Sequence, residues 1–166
     1  MRIHVATDHA GLEFSQLVQQ HLREQGFEVI DHGPQEYDAL DDYPAFCINA
    51  AQAVATDQAA GIPALGVVFG GSGNGEQMAA NKVQGIRAAL VWNLATAELA
   101  REHNNANVIS IGARQHSAEE AIALIDRFIA TSFPGDERHV RRVAQLAEYE
   151  ATGDIVGKGV NPFELG

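Results

Sequence analysis

Short apolar, β-rich runs alternate with helical patterns from one end of the chain to the other, and this order restricts its possible folds more than any other feature. Strands are predicted at residues 2–7, 27–31, 65–70, 87–92 and 107–112, and helices near 11–25, 44–56, 77–83, 95–103, 117–131 and 137–151. Phe14, Val18 and Leu22 recur every fourth residue and give the first helix an apolar side, which Gly26 brings to an end. Ser117 followed by Glu120 has the form of a capping box. Strand and helix in strict alternation predict a five-stranded, mainly parallel sheet with helices on both faces, an α/β three-layer sandwich. Two segments depart from the pattern. His32 to Pro44 is a polar loop rich in aspartate, and the sequence from Gly153 onward reads as a weakly ordered tail. The expectation is therefore one domain over residues 1–152 and a tail over 153–166.

The third predicted strand runs into Gly70-Gly71-Ser72-Gly73-Asn74-Gly75-Glu76, with four glycines in six residues before the next helix. Strand, glycine loop, helix is an arrangement that aims backbone N–H groups at an anion. No Lys-Ser/Thr follows the last glycine, so this is not a Walker A loop, and the spacing also fails the dinucleotide-binding pattern. Glu76 at its end adds a base beside those donors, a combination suited to creating and holding an oxyanion. An acidic residue in the first turn of a helix is also favoured by the helix dipole alone.

Charge narrows the choice of partner. The formal net charge is −11, which argues against nucleic acid or an anionic membrane. Five of the eleven basic residues, Arg114, Arg127, Arg138, Arg141 and Arg142, fall between positions 114 and 142. Arg138 and Arg142 lie four apart on one helix face, a grip suited to phosphate as well as an ordinary solvated surface. No run approaches the roughly 20 apolar residues of a membrane span. The chain begins as a strand rather than as a signal region, and its single Cys47 fits a reducing cytoplasm. The histidines form no His-x-x-x-His pair and Cys47 has no partner at zinc spacing, so no metal is expected.

Ligands of open α/β sheets bind beyond the carboxyl ends of the strands. Asp8 and His9 follow the first strand and the glycine loop follows the third, so both reach one rim. Asp8 in this position also serves as a helix N-cap. His103 ends the fourth helix, where it meets the helix dipole or acts as a proton shuttle.

Taken together, Asp8-His9-Ala10-Gly11, Asp42-Tyr43-Pro44, Gly70–Glu76 with Ala79-Ala80-Asn81-Lys82, Arg101-Glu102-His103-Asn104-Asn105-Ala106-Asn107 and Arg138-His139-x-Arg141-Arg142 resemble the ribose-5-phosphate isomerase B family, which also includes galactose-6-phosphate isomerase subunits. The resemblance spans about residues 1–150. It implies a Rossmann-like fold and a cofactor-free, metal-independent interconversion of aldose and ketose phosphates through a cis-enediolate. Ribose 5-phosphate is the first expectation for the substrate. Another sugar phosphate is the alternative within that chemistry, and a non-catalytic phosphosugar-binding module is the alternative outside it.

By the same resemblance, Glu76 is the base. Ser72 and the loop around Gly71, Gly73, Asn74 and Gly75 hold the enediolate oxygen. His103, assisted by Asp8, opens the ring. His9, Arg114, Arg138 and Arg142 hold the phosphate, and Tyr43 and Asn104 line the sugar site. Many members of the family place a cysteine base where this chain has Gly70, so the variant resembled is the one with a glutamate base. Strand four should end on the ligand rim, so the helix after it carries His103 back to the opposite rim. That implies a homodimer, or a tetramer, whose subunits share active sites.

Overall fold

The computed structural model describes residues 1–157. Most of the predicted 153–166 tail lies outside these residues. Five strands, β1 (Arg2–Ala6), β2 (Glu28–Asp31), β3 (Ala64–Gly70), β4 (Ala88–Leu90) and β5 (Val108–Gly112), form one sheet in the order β2-β1-β3-β5-β4. Every pairing between them is parallel. The helices are α1 (Leu12–Glu24), α2 (Tyr43–Ala59), α3 (Asn74–Ala80), α4 (Leu94–Asn104), α5 (Ala118–Ala130) and α6 (Glu137–Thr152).

Side-chain alternation along the strands sorts the core into two halves. Ile3, Val5, Leu65, Val67, Phe69, Ile109 and Ile111 point to the face covered by α1, α4 and α5, where Val18, Leu22, Ala97, Leu124, Ile125 and Phe128 are buried. Ala6, Val68, Ala88 and Val108 point to the other face, against Cys47, Ala50, Ala51 and Val54 of α2 and Ala79 and Ala80 of α3. The second face is built from small residues, which lets α2 and α3 approach the sheet closely. A Cβ at Gly66 would stand 2.9 Å from a Val108 methyl and 3.2 Å from one of Val54. His4 is a polar residue on this face. It is buried, with Nε2 3.0 Å from Asp57 Oδ2 and Nδ1 2.9 Å from His32 Nε2.

The expected elements are present, with one informative shift. The third helix, predicted over 77–83, begins three residues earlier at Asn74 and ends at Ala80. Gly73, at φ +80°, lets the chain turn into the helix while still inside the glycine loop. At the other end, Asn81 leaves the helical path and pairs in both directions with Ala88, accepting its N–H at 2.8 Å and donating to its carbonyl at 2.9 Å. The Ser117–Glu120 capping box is formed, and a second one joins Asn93 to Thr96 ahead of α4.

The carboxyl terminus of α4 is tied to the amino edge of the sheet. Asn105 turns the chain at φ 44°, and the Arg87 guanidinium donates to the Asn104, Asn105 and Gly85 carbonyls. Arg101 donates to the Ala106 and Thr131 carbonyls. These two arginines satisfy carbonyl groups that a helix end leaves open.

Phe69 is fully buried and meets Phe14 edge-on with ring centroids 5.2 Å apart. Phe69→Ala is expected to cost about 3–5 kcal/mol, as other large-to-small aromatic core replacements do. The shift of the urea denaturation midpoint at fixed protein concentration measures it.

Candidate active site

The order β2-β1-β3 places the point where the chain changes direction across the sheet between β1 and β3, the position at which open α/β sheets bind ligands. Ala6 pairs with Val68, so the loops leaving the two strands lie side by side. Asp8 and His9 come from the first loop, and Gly70 to Glu76 from the second. Asp8 is buried and its carboxylate accepts the Ala10 N–H at 3.0 Å, capping a short 3-10 turn over His9–Gly11. The N-cap reading of this aspartate therefore holds, and its place on the rim holds with it.

Glu76 lies in the first turn of α3 and is 4% exposed. Gly70 points to the same side of the sheet as Val68, towards α3, and the carboxylate occupies the space a side chain there would need. A Cβ at Gly70 would stand 1.8 Å from Glu76 Oε1 and 2.0 Å from its carboxyl carbon. A side chain at position 70 and this placement of Glu76 are mutually exclusive. Burial raises the carboxyl pKa above its ordinary value, the Asp8 charge adds to the rise, and a hydrogen bond from the residue's own backbone opposes it.

The glycine loop is held from several sides. The buried Ser110 hydroxyl donates to the Gly73 carbonyl at 2.7 Å. Ser72 is exposed, and its Oγ receives the Asn74 backbone N–H and side-chain amide at 3.3 Å each. The Arg114 guanidinium lies beside Gly71, since a Cβ there would be 3.3 Å from Nη1. The Tyr43 ring covers Gly75, where a Cβ would come within 2.5 Å of the phenol.

His9 completes this rim. Its Nδ1 is 2.6 Å from Asp41 Oδ1, and its backbone N–H reaches both Asp41 oxygens at 3.1 and 3.2 Å. That pairing raises the imidazole pKa; partial burial works against it, Asp8 adds to it and Arg114 subtracts. Asp8, His9 and Asp41 bring one potential metal-ligand atom each within 4.8 Å of one another. Each carboxylate is already engaged by N–H groups of the loop, so hydrogen bonding accounts for the cluster.

The remaining expected residues lie elsewhere in the same chain. His103 and Asn104 end α4 at the amino edge of the sheet, held there by the Arg87 bonds to the Asn104 and Asn105 carbonyls. The His103 ring stacks on His139 of α6 at 4.3 Å between centroids and 11° between planes. His139 is buried and accepts from Arg138 Nε at 3.0 Å. Burial lowers its pKa, and the nearby His103, Arg138 and Arg142 add to the effect against the opposing charge of Asp136. Arg142 and Asn104 line one groove of about 550 Å³ along α6.

One chain thus carries two separate clusters. Asp8, His9, Tyr43, Ser72, Glu76 and Arg114 stand at the carboxyl rim. His103, Asn104, Arg138 and Arg142 stand where α4 meets α6. Two supporting residues were not singled out in the sequence, and a third was quoted there without a role. Asp41 stood in a loop noticed only for its acidity, Ser110 was a lone hydroxyl in an apolar strand, and His139 lay beside the arginines.

The sequence profile of the family described as Ribose/Galactose Isomerase matches residues 3–146. A ribose-5-phosphate isomerase B from Mycobacterium tuberculosis is 53% identical over 152 residues, 92% of this chain and 91% of that protein. A probable ribose-5-phosphate isomerase B from Mycoplasma pneumoniae is 45% identical, over 89% of this chain and 94% of that one. Among solved structures, ribose-5-phosphate isomerase B from Mycoplasma genitalium with bound ribulose-5-phosphate superposes with a TM-score of 0.84 at 40% identity, covering 91% of this chain and 97% of that one.

Cys47 is fully buried, and desolvation, with smaller contributions from Glu76 and Asp8, pushes its thiol pKa up to about 12. Expected accordingly is no reaction of the native protein with a thiol reagent at pH 8, and full reaction after denaturation. A rapidly labelled native Cys47 would contradict this burial.

Proposed function

The chain belongs to the ribose/galactose isomerase family, as an aldose–ketose isomerase interconverting ribose 5-phosphate and ribulose 5-phosphate, and we propose that Glu76 carries the proton in that reaction. The observation that supports this assignment most is the buried Glu76 carboxylate in the space left by Gly70, at the mouth of a loop rich in N–H donors. In the open-chain sugar, Glu76 removes the proton from C2 and returns it to C1. The enediolate oxygen formed between the two steps faces the Ser72 hydroxyl and the amides of Gly71 to Gly75. Donors already aimed at a developing charge stabilise it without reorganisation, the effect that usually contributes most to such a step. Tyr43 closes the side of the site over Gly75.

We assign ring opening to His103 with Asp8, and phosphate binding to His9, Arg114, Arg138 and Arg142, with Asn104 against the sugar. One chain holds these groups at opposite edges of its sheet, so the assignment requires two chains. We propose a homodimer in which the α4–α6 cluster of each subunit completes the carboxyl-rim cluster of the other. Exposed Leu99, Val140 and Leu146 on α4 and α6 supply apolar surface for that contact. The isomerase domain is taken to cover residues 1–152. Among the described residues no helix is long and apolar enough to cross a membrane, and with the unpaired Cys47 this supports a cytoplasmic enzyme.

Glu76→Gln is expected to lower kcat by at least about 10³-fold, the scale of a positioned proton-transfer group, and to stop C2 deuterium exchange from D₂O. Cys47→Ser should retain most of the activity. A fully active Glu76→Gln enzyme would overturn the base assignment. Because burial raises the Glu76 pKa, the carboxylate takes up its proton at a higher pH than an ordinary glutamate near 4.5. The acid limb of kcat/KM should accordingly lie above that value, with activity lost as pH falls through it.

Mixing inactive Glu76→Gln and His103→Ala chains under conditions of subunit exchange should restore activity through hybrid dimers. Those dimers hold one intact site built from the unmutated half of each chain. No recovery despite confirmed exchange would count against shared sites.

A further inference from the structure

Asp41 makes three contacts with His9. The loop that carries it forms its own turn, with Asp41 N–H bonded to the Asp38 carbonyl and Leu40 N–H to the Asp38 side chain. From there both carboxylate oxygens accept the His9 backbone N–H, and Oδ1 also lies 2.6 Å from Nδ1. The Tyr37 ring of the same loop stands edge-on to the imidazole, 5.8 Å away at 86°. One loop therefore fixes the backbone, the ring orientation and one ring nitrogen of a single residue.

The chemistry follows from the proton count on the ring. A carboxylate only accepts hydrogen bonds, so Nδ1 must carry a proton to bond Asp41. A neutral His9 then has no proton left for Nε2, which would meet a phosphate as a lone pair facing oxygen lone pairs. Only the imidazolium bonds Asp41 through Nδ1–H and still offers Nε2–H to a phosphate. We propose that Asp41 is a positioning residue that holds His9 as an imidazolium, with Nε2–H directed to the substrate phosphate.

This rests on His9 being a phosphate ligand, as assigned above. The charged groups around the ring act in both directions. Asp41 and Asp8 favour the cation, and Arg114 across the rim disfavours it. Glu13 of α1 and Tyr37 line the same pocket. The raised His9 pKa is the balance of these charges and of partial burial, which opposes the cation, with the Asp41 bond the largest influence. For a histidine raised in this way, the cation persists to higher pH than for an unperturbed imidazole at 6.5 and is lost as pH rises through the higher folded value.

The test compares the wild type with Asp41→Asn in two readouts. First, the His9 imidazole is titrated by ¹H–¹⁵N NMR without ligand; its midpoint should fall in the variant, and an unmoved midpoint would overturn the proposal. Second, KM and the inhibition constant of inorganic phosphate are followed from pH 6 to 8.5. In the variant both should weaken about tenfold with rising pH, the scale of one charge-assisted hydrogen bond, beginning at lower pH than in the wild type. The change should fall mainly on KM rather than on kcat. An equal loss at every pH would point to a merely structural role and refute the proposal.

His9→Gln keeps a neutral polar side chain and supplies the control. Adding Asp41→Asn to it should weaken phosphate binding no further, and a further loss would count against action through His9. Should the wild type fail to isomerise ribose 5-phosphate, the functional reading falls, while the NMR titration still decides whether Asp41 sets the charge of His9.

Discussion

Parallel pairing of β1 with β3 is the constraint on which the rest of the site depends. It brings the end of the first strand beside the end of the third, although more than sixty residues separate them. With β2 on the far side of β1 and β5 on the far side of β3, the two loops diverge from a common line and leave a crevice between them. Asp8 and His9 enter from one side, and the glycine loop from the other. Each loop is tethered, Asp8 by the Ala10 N–H and Gly73 by Ser110, so the side chains they carry start from a fixed backbone.

The missing side chain at Gly70 decides how this crevice is furnished. Strand alternation points position 70 at α3, and the early start of α3 puts Glu76 in its first turn, so the carboxylate fills the vacated volume. The same packing withdraws the carboxylate from water and raises its pKa. Cys47 lies behind the crevice, and burial there leaves its thiol protonated and inert.

Charge is distributed by a similar logic. The protein is strongly acidic, yet Arg114 stands at the glycine loop and Arg138 and Arg142 stand at the start of α6. A histidine beside an aspartate adds a further cation whose presence depends on pH. An anionic ligand therefore meets positive charge at the rim against a negative background, which favours a small phosphate ester over a polyanion.

Much of this was legible in the sequence because it rests on local rules. Strand and helix alternation yielded the layers, Ser117 and Glu120 marked the start of α5, and the glycine loop with Glu76 marked one side of the crevice. The start of α3 inside that loop was not legible, since it depends on Gly73 packing against Leu90 and β5 from distant parts of the chain. The strand order and the pairing of Asp41 with His9 are likewise contacts between remote segments. No local pattern encodes such contacts, because they arise only when the sheet closes. The sequence by itself determined which chemical groups the protein owns and which loops carry them. That His103 and Glu76 lie at opposite edges of a single chain also followed from the sequence, because a helix that follows a parallel strand must return to the edge where that strand began. Only the tertiary structure decided which groups face one another, Asp41 with His9 and Glu76 with the space at Gly70, because those contacts depend on how the closed sheet packs its loops.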